Sequence, residues 1–167
     1  MDLLTYPYVI YAVGAALVLI AVMLVVSALS SNCYEPRSHL LTKAEQHFYK
    51  YLKQAVNEKT QIFCCVRVAD VVDIKQSVKG RKRMQRLGQI AQKHFDYVLT
   101  DMDTRILCAI ELNDSSHEQK ERKERDEFLD EVMKIAGVPL IKIKTGKIYD
   151  VAMIQRQLNQ AFPGYFG

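Results

Sequence analysis

Five residues in one stretch have the types and the spacing to do chemistry. Residues 95–126 read FDYVLTDMDTRILCAIELNDSSHEQKERKERD. Asp96 lies in one apolar run, Glu111, Asn113 and Asp114 close a second, and His117 follows just beyond. A carboxylate at the tip of a hydrophobic strand is costly unless it is paired, hydrogen-bonded or bound to a metal. The polar turn MDT between the two runs makes them the arms of a hairpin.

How the acids meet depends on the turn. With its centre between Met102 and Asp103, Asp96 pairs across from Ala109. Side chains alternate along a strand, so Glu111 shares a face with Ala109 and Asp96. The two acids are then diagonal neighbours, roughly 7–8 Å apart at the backbone. Two carboxylates reaching toward each other from there can hold one divalent cation. A slip of one residue would put them on opposite faces.

An Asp, a hairpin, Glu-x-Asn at a strand end and a polar helix resemble the PD-(D/E)xK nuclease core. More closely, LLTKAEQHFYKYL, HFDYVL, IELNDSSH, RDEFLDEV and AGVPLIKI resemble a bacterial family catalogued as domain of unknown function 2726. That family is thought to share the fold of the very-short-patch repair endonucleases. The resemblance covers roughly residues 40–145. It implies a restriction-endonuclease-like fold, and Mg²⁺ held by Asp96 and Glu111 with the Leu112 carbonyl as a further ligand. It also implies that Glu45 faces the metal site from the first helix of the domain. His117 is the nearest candidate for a general acid or base. The nuclease signature ends in a lysine that orients the attacking water. Asn113 stands there instead, and in the resembling family the position is commonly an acid or Asn. Lys120 or Arg122, one turn into the next helix, can supply the missing cation.

Each residue also has a plain structural use. Asp96 can hydrogen-bond to a turn, and Asp114 can start an Asx turn before the helix. His117 can cap that helix, and Asp126 can pair within it with Arg122 or Arg125. Thr42 and Glu45 form a capping box, which alone accounts for Glu45.

These residues need elements to position them. The spacing predicts a helix over 43–56 with Ala44, Phe48, Tyr51, Leu52 and Ala55 on one stripe. QIFCCVRVADVV (61–72) reads as the first core strand, running into a loop. Lys79, Arg81, Lys82, Arg83 and Arg86 form a basic cluster leading into a helix, with Met84, Leu87, Ile90, Ala91 and His94 on its apolar side. The cluster suits a solvated face, a phosphate backbone or anionic lipid. After the hairpin, Ser115 or Ser116 can cap a helix running to about Ala136, with Phe128, Leu129, Val132, Ile135 and Ala136 facing inward. Gly137 and Pro139 stop it. VPLIKI is the next strand. Asp150 caps a last helix carrying Val151, Ile154, Leu158 and Ala161 on one side, and FPGYFG closes the chain.

From Leu3 to Tyr34 there is no charged residue, and Tyr8–Leu29 is almost wholly apolar. About 20 such residues cross a hydrocarbon core of ~30 Å. The run is too long for a signal peptide and lacks its positive n-region. A single-pass anchor is expected. All 23 Lys and Arg lie at Arg37 or later, so the positive-inside rule places the N-terminus outside and the domain in the cytoplasm, at the inner membrane. Of the 19 acids only Asp2 and Glu35 precede Arg37, so the domain is more basic than the whole chain's net +4. This suits an anionic partner. The four cysteines form no CxxC pair, which argues against a zinc site and a disulfide framework.

The reading is an α/β chain: a transmembrane anchor over 1–30, a linker over 31–39, and an endonuclease-like domain over 40–167. Its function is a membrane-anchored, Mg²⁺-dependent nuclease acting on DNA. The alternative is a module of the same fold that has lost hydrolysis and holds nucleic acid or a protein partner at the membrane.

Overall fold

The computed structural model describes residues 7–30, 34–113 and 120–166. The chain divides into two compact units, 1–38 and 39–167. The first contains helix α1, Pro7–Ser30. Within it Tyr8–Ser27 has a mean hydropathy of 2.9 and no buried residue, so by length and composition it can cross a membrane.

The second unit begins with helix α2, Lys43–Ala55. Its capping box is formed: the Thr42 N–H donates to Glu45 Oε2 at 2.8 Å, and the Glu45 N–H donates to the Thr42 hydroxyl at 3.4 Å. Phe48, Leu52 and Ala55 are buried and Tyr51 is half-buried, while Ala44 lies in solvent. Strand β1 is Gln61–Arg67. It does not run on to Val72 as the composition suggests. A short helix α3, Val68–Val71, follows and drives Val68 into the core.

Helix α4, Gly80–Ala91, carries the basic cluster. Only Ile90 is buried on it, and Met84 and Leu87 face solvent, which corrects the broader apolar side expected. One turn of contact holds the helix, and a side chain further along the axis leaves the sheet's reach. His94 is also exposed, at the start of strand β2, His94–Thr100. Strand β3 is Ile106–Asn113, helix α5 Lys120–Ala136, strand β4 Leu140–Lys144 and helix α6 Val151–Ala161.

The four strands lie in sequence order in one sheet. β1–β2 and β2–β3 are antiparallel, and β3–β4 is parallel, the crossover that α5 makes possible. One face packs α2 and α6 through Phe48, Leu52, Ile154 and Leu158 against Tyr97, Leu99, Ile110 and Ile143. The other packs α3, α4 and α5 through Val68, Ile90, Leu129 and Met133 against Phe95, Val98 and Ala109. On α5 Leu129 and Met133 are buried and Phe128 and Val132 pack half-buried beside them, whereas Ile135 is 68 % exposed and Ala136 lies in solvent. The helix meets the sheet along positions 129 and 133, four apart; Ile135, two past Met133, is turned to the far side, and Ala136 is the last residue of the helix. Gly137 ends it at φ 72°, with the Val138 N–H donating to the Met133 carbonyl at 3.1 Å.

Candidate functional site

The hairpin sets the geometry. Tyr97 pairs with Ile110, Val98 with Ala109 and Leu99 with Cys108. One step further along this ladder puts Asp96 directly opposite Glu111, so the diagonal arrangement, with Asp96 across from Ala109, is corrected. The cause is the turn. It spans Asp101–Arg105, with the Asp101 N–H donating to the Arg105 carbonyl at 3.0 Å. Asp101 Oδ1 accepts from the Asp103 and Arg105 N–H groups at 3.0 and 2.8 Å, and the register shifts between Leu99 and Thr100. The shift moves the partner of Asp96 by two positions, from Ala109 to Glu111.

Asp96 lies where two strands change faces. Cys64 and Tyr97 pair and join the α2–α6 core, whereas Val66 and Phe95 pair and join the other. Between them Cys65 has φ 55°, a left-handed conformation that costs roughly 1–2 kcal/mol for a residue with a Cβ. The Asp96 carboxylate reaches across to β3, where Oδ2 accepts the Leu112 N–H at 2.6 Å. That bond fixes the acid in the position that the ladder would otherwise fill.

Glu111 is buried at 9 % exposure and shares the face of Ala109 by alternation. Its parallel partner on β4 is Lys142, which is therefore on the same face. Lys142 Nζ forms an ion pair with Asp130 Oδ2 of α5 at 2.5 Å. By register Glu111 and Lys142 lie side by side on one face, the lysine paired with Asp130, and Asp96 stands opposite Glu111 on β2. Asn113 ends β3, and its carbonyl accepts the Thr145 N–H at 2.9 Å. Asp114 and His117 lie outside the described residues, as do the side chains of Lys120, Arg122 and Asp126.

Glu45 belongs to α2, on the face away from Glu111. Its side chain closes the capping box, and its carbonyl accepts the Tyr97 hydroxyl at 2.6 Å. Burial, followed by the charges of Cys64, Glu45, Asp96 and Cys65, pushes the Tyr97 phenol well up, so it stays a donor. Burial also raises Cys64, with Cys65 and Glu45 adding to it, and pushes Cys108 up to about 12. Both remain thiols at neutral pH.

Of the basic cluster, Lys79, Arg81, Lys82 and Arg86 are exposed. Arg83 is partly spent holding the preceding loop, donating to the Ile74 carbonyl at 2.6 Å and pairing with Asp73 at 3.3 Å. Arg86 donates to Gln89 at 3.1 Å. Their helix packs on the face of the sheet that carries Glu111.

Among the described residues no three of His, Cys, Asp and Glu are close enough to hold a metal ion. Glu45 therefore does not close such a group with Asp96 and Glu111. A hard cation that keeps most of its waters needs only one or two carboxylates, and the half-buried Asp96 and the buried Glu111, opposite each other by register, supply that number. The sequence reading missed Lys142, Asp130 and Cys65. The signal for Lys142 was present: a lone cation inside the apolar run VPLIKI, the mirror image of an acid at Asp96.

Neither a curated protein nor a solved structure matches the chain. The family model described as Protein of unknown function (DUF2726) matches residues 37–162, most of the chain and all of the elements around these acids, and the chain belongs to that family.

Proposed function

We propose that this protein is a membrane-anchored, metal-dependent nuclease that hydrolyses phosphodiester bonds in DNA. The observation that carries the reading is the antiparallel register that brings Asp96 of β2 opposite the buried Glu111 of β3, in a mixed sheet flanked by helices. That arrangement agrees with the restriction-endonuclease-like fold implied by the resemblance. Asp96 and Glu111 would hold Mg²⁺, which would polarise the phosphodiester and acidify water. Asp96 is kept in place by the Leu112 N–H, and Glu111 by its strand and its burial. His117 takes up a proton from the attacking water or returns one to the departing oxygen as the ester P–O bond breaks. Lys79, Arg81, Lys82 and Arg86 bind the phosphate backbone, with Arg83 contributing less because of its bonds to the loop. Helix α1 holds the unit at the inner membrane, with 39–167 in the cytoplasm. A module that binds nucleic acid or a protein partner without hydrolysis is the second reading, favoured by Asn113 where the nuclease signature has lysine.

The test is a Mg²⁺ and Mn²⁺ titration of the full chain in detergent micelles, read as melting temperature, beside Asp96→Ala and Glu111→Ala. A metal-dependent rise that both substitutions abolish supports the site. A parent chain indifferent to both metals sinks the nuclease reading and leaves the binding module.

A further inference from the structure

We infer that Lys142 supplies, from β4, the cation that Asn113 does not, and that Asp130 positions it. The inference rests on the acid-pair reading above and adds the group that meets the substrate phosphate.

In register, Lys142 is the residue beside Glu111 on the neighbouring strand, and adjacent strands lie about 4.8 Å apart. Ile141 and Ile143 on either side of it pack into the opposite core, so alternation aims Lys142 at the face that bears Glu111. A lysine there must answer for its charge. Its side chain retains only 30 % of its exposure, and it is tied to Asp130. A purely solvated lysine would extend away from the sheet. Here the ammonium is held on that face by a carboxylate from a helix that packs there.

The placement has a chemical use. A phosphodiester brought to the cation at Asp96 and Glu111 carries its own negative charge, which grows on the oxygens in the transition state. An ammonium one strand away from Glu111 can bond to one of those oxygens, and a charge-assisted bond to phosphate is among the stronger hydrogen bonds. Asp130 restricts the long lysine side chain to that side of the sheet. It lies on α5, so the helix that follows the hairpin fixes the cation even though the cation itself comes from β4. Lysine in a nuclease signature two residues after the glutamate occupies the same strand as the acid. Placing it on the next strand, in register with the acid, brings the charge to the same face by a different route.

The experiment measures Mn²⁺ affinity, by the paramagnetic resonance of free Mn²⁺, and the affinity for a short fluorescein-labelled DNA duplex in Ca²⁺. Both use full-length protein in detergent micelles for the parent, Lys142→Gln, Lys142→Arg and Asp130→Asn. With the ammonium removed, Lys142→Gln binds Mn²⁺ several-fold more tightly, because a repelling charge beside the acids is gone. It binds the duplex about tenfold more weakly, because a charge-assisted phosphate contact is lost. Lys142→Arg restores both values to near the parent's, which loss of packing alone would not allow. Asp130→Asn keeps Mn²⁺ affinity and weakens the duplex by a smaller factor. A parent chain that binds no Mn²⁺ overturns the acid-pair reading and this inference with it. A parent that binds Mn²⁺, with Lys142→Gln matching it in both measurements, overturns this inference alone.

Discussion

Thr104 and Cys65 show what single residues contribute. Both hold positive φ, 64° and 55°, where a side chain with a Cβ is strained. Thr104 is exposed at the hairpin turn, a position that glycine fills without strain. Thr104→Gly is expected to stabilise the chain by about 1 kcal/mol, read as a higher midpoint in chemical unfolding. An unchanged or lower midpoint would show that the threonine side chain makes up the difference. Cys65 is less replaceable, because it lies where β1 and β2 change faces beside Asp96. Strain held beside a candidate site is a known association. The acids themselves were legible from composition alone, since charge in an apolar strand is conspicuous. Their exact pairing was not, because it depends on the five residues of the turn and on a shift between Leu99 and Thr100.

Helices and strands set which of these residues can act together. The capping box of α2 was readable from Thr42 and Glu45 three positions apart, and it forms as expected. Thr42→Ala should cost about 1 kcal/mol, followed as a drop in melting temperature. Glu45→Gln keeps an acceptor for the Thr42 N–H and removes the charge. If Glu45 serves only the cap, that variant retains near-parental stability and Mn²⁺ affinity. A clear loss of Mn²⁺ affinity would return Glu45 to the metal site. The end of α5 was equally legible from Gly137 and Pro139, since a left-handed glycine and a proline stop any helix. Its inward face was less so. A pattern of apolar residues gives the period of a helix but not which stripe of it meets the sheet, and Ile135 falls off that stripe.

At the scale of the molecule, the two units divide the work. Every buried residue among those described lies at Phe48 or later, and none of Tyr8–Ser27 in α1 is buried. Deleting residues 1–38 should therefore leave the unfolding midpoint of the remainder within a few degrees of the full chain's, by circular dichroism in the same detergent. A large fall would show that 1–38 contributes packing to the second unit. The C-terminal end is different. Phe166 is buried, the Tyr165 hydroxyl donates to the Lys59 carbonyl at 2.6 Å, and Asn57 donates to the Tyr165 carbonyl at 2.7 Å, so the aromatic tail is part of the core.

Sequence alone determined the apolar run of α1, the α/β order, the helix caps and the oddity of acids in strands. Each of these is a local matter, decided by hydrophobic period, backbone hydrogen bonding or the desolvation of a charge. Only the tertiary structure decided the two-residue change in hairpin pairing, the separation of Glu45 from the face of Glu111, and the arrival of Lys142 beside that acid. These depend on how strands far apart in the chain come into register, and on which helix face meets which side of the sheet. A lysine separated by a whole helix from Glu111 comes into register with it only when the parallel crossover is made.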